Sequence, residues 1–374
     1  TRHMSHARIH GDMYDFAVVG VGPAGARVAR RAAEAGHDVI AFEQGEIGTP
    51  LACSGHVSRD IWEYTPDGAR EELLQNEVYG ADFHVGGPGS DAYPFFKDEP
   101  VSNVIDREEL DRILAEAAID AGADVRDGHT VTGVDEGLDS VELTVSPDDG
   151  DPFTVEAKMV AGCDGPVSRV RRSVDLPEPD EKLHGVLGFD PEPDHGDFVD
   201  VHLTVPSFFA WRIPRGEAGV EYGLGVRPDA DEDARERFDR LVDDYGADID
   251  RFCSGAIPIG PPDSVASHRV FLVGDAAAQT KPFTGGGILY GMRSADNAVR
   301  QIDPDDPATL SAYETAWRDE LATEIRLGHW LRRAYSLPEP VQHLGLRLTS
   351  GEIGVHMDRP TTLLSREHLR SYLP

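Results

Sequence analysis

Apolar and polar positions along this chain follow two different periods, and their order predicts a mixed α/β fold. Short apolar runs at Phe16–Val19 and Asp38–Phe42 have the length and composition of buried strands. Residues 106–121 combine an N-cap aspartate, acids in the first turn and apolar side chains at helical spacing, which predicts a helix. Further helices are predicted at residues 62–74, 232–245 and 308–335.

Alternation with a period of two marks most of the remaining segments as antiparallel strands. Residues 125–160 contain three such runs and predict a meander. Residues 78–96 and 183–226 predict a hairpin and further strands of a second structural unit. The chain therefore leaves the first unit and returns to it more than once.

The first strand, Phe16–Val19, runs directly into a glycine-rich turn and a helix. Glycines at this spacing permit a tight turn and close approach of the backbone to a pyrophosphate, and a proline suits the first helical turn. The second strand ends on Glu43, an acid that can accept hydrogen bonds from both ribose hydroxyls of an adenosine. The pattern predicts an ADP-bearing cofactor, either FAD or NAD. Its predicted binding residues are Gly20, Gly22, Pro23, Ala24, Gly25, Glu43 and Gln44.

A second element of this kind lies at residues 270–299, where a strand ends on Gly274-Asp275 and a glycine run opens a helix. Asp275 can accept a hydrogen bond from a ribityl hydroxyl, and the amides of Gly286 and Gly287 can face the electron-accepting edge of an isoalloxazine ring. A nicotinamide cofactor would not need this second element. FAD extends from adenosine to flavin and would contact both the glycine turn after the first strand and this element. The sequence therefore predicts FAD, held here by Gly274, Asp275, Gly285, Gly286, Gly287 and Ile288.

Three further residues are candidates whose surroundings leave two explanations open. Arg107 begins a helix, where a cation opposes the helix dipole, so a phosphate or a neighbouring acid should compensate it unless it is simply solvated. Asp164 follows the last strand of the meander and is either a second cofactor-facing edge or an ordinary Asp-Gly turn. Cys53 lies in a glycine-rich loop and, on this evidence alone, behaves as a small buried hydrophobe.

The combined pattern predicts an α/β (α+β) fold. It comprises a Rossmann-like, three-layer FAD-binding domain with an inserted antiparallel β-sheet substrate domain and a C-terminal helical tail. The predicted boundaries are 13–77, 104–180 and 256–302 for the FAD-binding domain, 78–103 and 181–255 for the substrate domain, and 303–374 for the tail.

Composition restricts the class of partner. The 374 residues carry a formal net charge of −33, with 68 acids against 35 bases spread over the whole length, which argues against nucleic acid. Such repulsion is well screened in concentrated salt, so we expect a cytoplasm that accumulates salt, with an ordinary acidic surface as the alternative. Three cysteines are too few for a disulfide framework, and no apolar run is long enough to span a membrane. A cytoplasmic protein without a metal site is expected.

Together the motifs resemble the geranylgeranyl reductase family of FAD-dependent enzymes, which fold like the aromatic hydroxylases. The resemblance covers residues 14–300. It rests on the glycine turn at Gly20–Gly25, the Pro50–Cys53 loop, the Cys163–Gly165 turn and, most specifically, the stretch Gly274–Gly287. The family pattern continues its cysteine with Gly-Glu-Gly and has a Tyr-x-Trp-x-Phe-Pro motif. This chain instead has CSGH from Cys53 and FAWRIP from Phe209.

The resemblance implies that reduced flavin saturates isolated double bonds of polyprenyl chains, in archaeal membrane lipids or in an isoprenoid quinone. Cys53 would face the flavin and tune it or relay a proton, while Ala52 and Arg107 would contact the cofactor. Phe209 and Trp211 would line a substrate tunnel together with Pro214. From periodicity alone, the apolar strand face that carries Phe209 and Trp211 is equally well explained as sheet core.

Other functions share these signals. A monooxygenase of the aromatic-hydroxylase type has the same FAD motifs, and a flavin-holding lipid carrier or electron-transfer protein would need the same tunnel. The electron donor is expected to be ferredoxin or NAD(P)H. The tail, including the amphipathic residues 360–373, is expected to pack on the FAD-binding domain, to cap the tunnel, or to touch the inner membrane face peripherally.

Overall fold

The computed structural model describes residues 13–49 and 53–351. The strands are β1 Tyr14–Val19, β2 Val39–Phe42, β3 His56–Ser58, β4 Leu74–Val78, β5 Gly80–His84, β6 Ala92–Phe96, β7 Ser102–Ile105, β8 Asp124–Arg126, β9 His129–Glu136, β10 Val141–Pro147, β11 Phe153–Gly162, β12 Glu181–Asp190, β13 Phe198–His202, β14 Ala210–Pro214, β15 Val220–Val226, β16 Arg251–Ile259 and β17 Val270–Leu272. The helices are α1 Pro23–Glu34, α2 Ala69–Leu73, α3 Arg107–Asp120, α4 Arg169–Ser173, α5 Ala234–Tyr245, α6 Ile288–Gln301, α7 Leu310–Arg332 and α8 Glu339–Thr349.

The first sheet has the order β8-β2-β1-β11-β10-β9 and is parallel from β8 to β11. Strand β11 is long enough to use one edge twice, because its first half pairs antiparallel with β10 and its last residues pair parallel with β17. The predicted meander is therefore β9-β10-β11. Parallel strands of one sheet end at the same edge, so the turns after β1, β2, β11 and β17 come together there.

Helix α1 lies between α3 and α6 and packs its alanines and Val28 onto the parallel strands. Its position depends on Gly25, since a Cβ there would overlap the carbonyl oxygen of Gly20. The ion pair between Arg27 and Asp296, at 2.7 Å, joins α1 to α6 on the outer side. Asp106 caps α3 by accepting from the Glu109 amide at 3.0 Å, which confirms the predicted helix start.

The second sheet has the order β16-β12-β15-β14-β13-β5-β6, with α5 packed on one face. Two glycines in β15 shape the other face. A Cβ at Gly223 would overlap the indole ring of Trp211, and one at Gly225 would lie 2.7 Å from the ring of Phe208. Glycine at these positions admits bulky aromatic rings to the surface of the sheet. A third, smaller sheet has the order β3-β7-β4.

The mixed α/β fold class is confirmed, including helices near the C-terminus of the described chain. The proposed domain boundaries stay predictions, and β16 runs to Ile259, past the predicted end of the substrate domain. One predicted helix, 62–74, is wrong in detail. Residues 59–63 form a 3₁₀ turn, Gly68 adopts a positive φ of 87°, and only α2 is helical before β4 begins at Leu74. Pro66 explains the break, because a proline disfavours helical backbone in the residue before it.

Candidate functional site

The turns that follow the parallel strands line one cavity of about 1300 Å³. It begins at the glycine turn after β1, passes Glu43 after β2 and Asp164 after β11, and reaches Asp275 after β17. It continues beneath the second sheet, where residues of α7 and α8 also line it. The cavity therefore joins the predicted cofactor motifs to the predicted substrate strand in one continuous space.

At the glycine turn, three glycines have three different surroundings. Gly20 has φ +91°, and a Cβ there would lie 2.5 Å from the Cys163 carbonyl oxygen. At Gly25, an added Cβ would overlap the Gly20 carbonyl oxygen, as described above. Gly22 has nothing within 4 Å of an added Cβ, and it lines the cavity. Gly20 and Gly25 hold the turn tight, while Gly22 leaves room for a ligand to approach the backbone at the start of α1.

Glu43 lies where β2 ends, and its carboxylate fixes the glycine turn. One oxygen accepts from the Val21 amide at 2.8 Å and the other from the Gln44 amide at 2.9 Å. Burial raises the pKa of the Glu43 carboxyl, although these two backbone hydrogen bonds oppose the change. Each carboxylate oxygen has a second lone pair, so Glu43 can still accept hydrogen bonds from a diol in the cavity.

At the far end, Asp275 faces the glycine run before α6. A Cβ at Gly287 would lie 2.7 Å from its Oδ1, and one at Gly286 would lie 2.9 Å from Cε of Lys281. Neither glycine can be replaced without displacing a neighbour. Burial raises the pKa of Asp275 to about 6, with Arg107 opposing the shift. Gly274, Gly285 and Ile288 line the same part of the cavity.

Cys53 also lines the cavity and lies beside a buried ion pair. Arg107 Nη1 donates to Asp111 Oδ1 at 2.9 Å, and Arg107 lines the same cavity as Cys53. Burial alone would lower the pKa of Arg107, but Asp111 and Cys53 raise it, so the guanidinium stays charged. The acid that compensates Arg107 at the start of α3 is therefore Asp111.

Aromatic side chains form the wall below the second sheet. Phe209 stacks on Phe208 with ring centroids 4.5 Å apart and contacts Trp211 at 5.7 Å and Tyr335 at 5.6 Å. The Tyr335 hydroxyl donates to the Phe283 carbonyl at 2.9 Å, which ties the C-terminal helices to the glycine run before α6. This wall is apolar and suits a hydrocarbon chain.

A buried polar network behind this wall was missed by the sequence analysis. The Trp211 indole donates to Glu221 at 2.8 Å, and Arg215 pairs with the other oxygen of Glu221 at 3.0 Å. Arg215 also donates to the Ser54 carbonyl, to Ile105 O at 3.2 Å and to Gln75 Oε1 at 2.6 Å. It thereby fixes the loop that carries Cys53 to the strand that carries Trp211. In the sequence, the only sign of this network is that two charged residues, Arg215 and Glu221, flank the turn between two apolar strands.

Several predicted site residues have other surroundings than expected. Asp164 lines the cavity, but its carboxylate accepts from the Ser168 hydroxyl and from the amides of Arg169 and Val170, so it shapes the following turn. Gly25 and Pro214 do not line the cavity. Pro214 lies at the end of β14 with its carbonyl bound to Asn76. Ala52 lies outside the described residues.

Comparisons with known proteins give the family. Residues 68–251 match the profile of a family described as FAD binding domain. The digeranylgeranylglycerophospholipid reductase of Methanosarcina acetivorans is 28% identical over 357 residues, covering 84% of this chain and 83% of that protein. Digeranylgeranylglycerophospholipid reductase 2 of Methanopyrus kandleri is 30% identical over 358 residues, covering 84% of each. The chain belongs to the geranylgeranyl reductase family of FAD-dependent enzymes.

Solved structures share the fold of this chain. A geranylgeranyl bacteriochlorophyll reductase-like protein from Thermoplasma acidophilum superposes with a TM-score of 0.82 at 23% identity, covering 96% of this chain and 95% of that one. The p-nitrophenol 4-monooxygenase of Pseudomonas putida gives a TM-score of 0.72 at 17% identity, covering 96% of each chain. The fold is thus shared with hydroxylases, as the sequence predicted.

The predicted cofactor and reaction class are confirmed. The chain is an FAD-dependent oxidoreductase that reduces carbon–carbon double bonds of geranylgeranyl chains. Its residues fit the cofactor, because the open backbone at Gly22, the acid Glu43 and the glycines beside Asp275 lie along one extended cavity. Among the residues that the structure describes, no helix is long and apolar enough to cross a bilayer.

Proposed function

We propose that this enzyme saturates the geranylgeranyl chains of a membrane glycerophospholipid, the substrate named for its methanogen relatives. The observation that carries the proposal is the continuity of the cavity. Its cofactor end is lined by the turns of a parallel sheet, and its other end by aromatic rings and the helices α7 and α8. A chain of isoprene units is long, narrow and apolar, and the second half of the cavity has the same character.

We assign cofactor binding to the residues that line the first half of the cavity. The glycine turn with Pro23 and Ala24 would hold the pyrophosphate, Glu43 and Gln44 the adenosine ribose, and Arg107 a neighbouring phosphate or flavin edge. The stretch Gly274–Ile288 would hold the ribityl chain and the ring. We assign no cofactor contact to the Asp164 carboxylate, because the turn that follows already uses its oxygens.

The chemistry requires a dry site and a proton. An isolated alkene accepts hydride poorly, so a proton must reach the second carbon as hydride arrives from the reduced flavin that the bound cofactor supplies. We assign the proton to the Cys53 thiol, since Cys53 lines the cavity and a thiol can donate a proton. Phe209 and Trp211 would hold the chain beside it, whereas Pro214 is not part of this wall.

The function is tested with purified protein in concentrated KCl. The protein is reduced without oxygen, either by dithionite, by reduced ferredoxin or by NAD(P)H, and mixed with digeranylgeranylglycerophospholipid. We expect one added hydrogen pair per saturated double bond by mass spectrometry. Geranylgeranyl quinone serves as the competing substrate. Unchanged lipid under every donor, or oxygen consumption with a hydroxylated product, would contradict the proposal.

We also propose that the enzyme takes its lipid from a membrane surface through α7 and α8. Trp330, Leu344 and Leu348 are 62%, 58% and 69% exposed, and other residues of the same helices line the cavity. Residues 326–349 carry four arginines against one glutamate, which is the opposite of the overall charge of −33. Apolar side chains with flanking arginines are typical of segments that lie in the interface of an anionic bilayer.

Leu344→Glu/Leu348→Glu is expected to weaken vesicle binding, because two leucines that would enter the acyl boundary become charged. We expect at least about a 10-fold lower partition coefficient on anionic vesicles, measured by flotation in KCl. Leu138→Glu is the matched control, since Leu138 is 81% exposed on a distant hairpin. Equal loss in the control, or no loss in the double variant, would argue against this surface.

A further inference from the structure

A second cavity lies behind Cys53. It has a volume of about 250 Å³ and is lined largely by polar and charged side chains. Among the residues that the structure describes, Cys53 and Arg107 alone line both this cavity and the large one. Cys53 and Arg107 therefore form a partition between the large, apolar cavity and the small, polar one.

The contents of the second cavity follow from its walls. Arg251 pairs with Glu108 at 2.6 Å and lies over the Phe189 ring at 4.1 Å, and both of these charged side chains are partly exposed. Arg215 and Gln75 form the inner wall through their 2.6 Å hydrogen bond. Since a water molecule takes about 30 Å³ in the liquid, there is room for several waters with polar partners.

Arg107 has the properties that the partition needs. Its guanidinium is held by Asp111, while its buried Nε has no hydrogen-bond partner in the described chain. Arg107 therefore places a fixed positive charge and an unpaired N–H on the boundary between the two cavities. Polar groups that are free in a buried position are the places where ordered water binds.

We propose that the second cavity is the proton entrance of the enzyme, through which water restores the proton of Cys53 while FAD and lipid fill the large cavity. This inference rests on the proposed role of Cys53. In each saturation the S–H bond of Cys53 would break and its proton would form one new C–H bond, while the reduced cofactor, when bound, would supply the hydride for the other. The thiolate then takes a proton from a water in the second cavity, and the hydroxide that remains is neutralised in the solvent at the cavity mouth.

Such an entrance resolves a physical conflict in the reaction. The alkene and the flavin need a site without water, yet every saturated bond consumes a proton. A lipid with several double bonds can stay bound through successive reductions only if protons arrive by a separate route. Cys53, which lines both cavities, would supply the proton without admitting water to the apolar one.

Ala218 offers a way to close the entrance, because it is an exposed residue on the wall of the second cavity. Ala218→Trp would fill the mouth, whereas Glu217→Trp adds the same ring to the same turn outside the lining residues. The first readout is alkylation of Cys53 by iodoacetamide, measured by peptide mass spectrometry on protein loaded with oxidised FAD and with saturated or unsaturated lipid. This readout requires no turnover, so it remains valid even if the lipid proves not to be the substrate.

In wild-type protein we expect Cys53 to react at similar rates with and without lipid. Ala218→Trp should slow the reaction about 10-fold in lipid-loaded protein only, because the lipid-free protein still admits reagent through the large cavity. Glu217→Trp should behave like wild type. A second readout is the number of hydrogen pairs added to each lipid in excess dithionite, followed in time by mass spectrometry: the first saturation in Ala218→Trp should be unimpaired, since the thiol starts protonated, and later ones should be slow.

Two results would overturn the inference. If lipid protects wild-type Cys53 from iodoacetamide, the thiol is reached only through the large cavity. If Ala218→Trp and Glu217→Trp give the same alkylation rates in loaded protein, the second cavity is not an entrance. A protein that alkylates as expected but reduces no lipid would retain the entrance and refute the proposed substrate instead.

Discussion

Arg215→Met is expected to destabilise the folded protein by about 3–5 kcal/mol, because it leaves the carboxylate of Glu221 buried without its cation. Glu221 is fully buried, and burial raises its pKa while Arg215 and the Trp211 indole oppose that change. The substitution also removes the donors to the carbonyls of Ser54 and Ile105. The measurement is urea unfolding in concentrated KCl at a fixed excess of FAD, so that cofactor binding contributes equally to each variant.

The matched control removes the unpaired Glu221 carboxylate as well as the Arg215 cation. In Arg215→Met/Glu221→Gln the amide oxygen can still accept from Trp211, so we expect about half or more of the lost stability to return. Arg235→Met, which breaks an exposed ion pair with Asp239, should cost less than about 1 kcal/mol. If Arg215→Met is as mild as Arg235→Met, the buried network does not stabilise the attachment of the Cys53 loop to the strand that carries Trp211.

This network also marks the limit of what the sequence could predict. The cofactor edge follows from local rules, since glycines after β1, an acid after β2 and a glycine run after β17 each have a strand before them. Parallel strands bring such turns to one edge whatever the loops between them do. Arg215 and Glu221 have no local rule of this kind. Their pairing depends on the turn between β14 and β15 and on the distant loop at Ser54.

Two neighbouring predictions show the same distinction. Trp211 and Pro214 belong to one strand motif and are both predicted to line the tunnel, but successive side chains of a strand point to opposite faces. Trp211 lines the cavity, and Pro214 ends the strand away from it. Asp164 follows β11 and lines the cavity, but its carboxylate is used by the turn. A position can be read from the order of elements, whereas a side chain's partner depends on folded contacts.

The second cavity was not predictable from sequence for a related reason. Its walls come from α3, from the turn after β14 and from the start of β16, which are far apart in the chain. Only the packing of the second sheet against the Cys53 loop brings these charges together. The glycine at Gly55 belongs to this arrangement, because its φ is +69° and an added Cβ would overlap the Ile105 carbonyl.

Cys53→Ser is expected to lower the rate of lipid saturation by about 10²–10⁴-fold, the usual contribution of a positioned general acid. A serine hydroxyl fits the same space, but it gives up its proton far less readily than a thiol. The measurement is the rate of flavin oxidation after anaerobic mixing of reduced protein with lipid, together with the mass of the product. The FAD content and the absorbance spectrum of the oxidised protein should be unchanged, which separates a proton role from a structural one.

Cys253→Ser is the matched control for this change, because Cys253 is also a half-buried free thiol but lies on β16 outside both cavities. It should retain the wild-type rate. The proton role also predicts a larger solvent deuterium isotope effect on flavin oxidation in wild type than on FAD binding, since only the former breaks the S–H bond. A Cys53→Ser enzyme that reduces lipid at the rate of Cys253→Ser would assign the proton to another group in the cavity, with Asp275, whose pKa burial raises to about 6, as the next residue to replace.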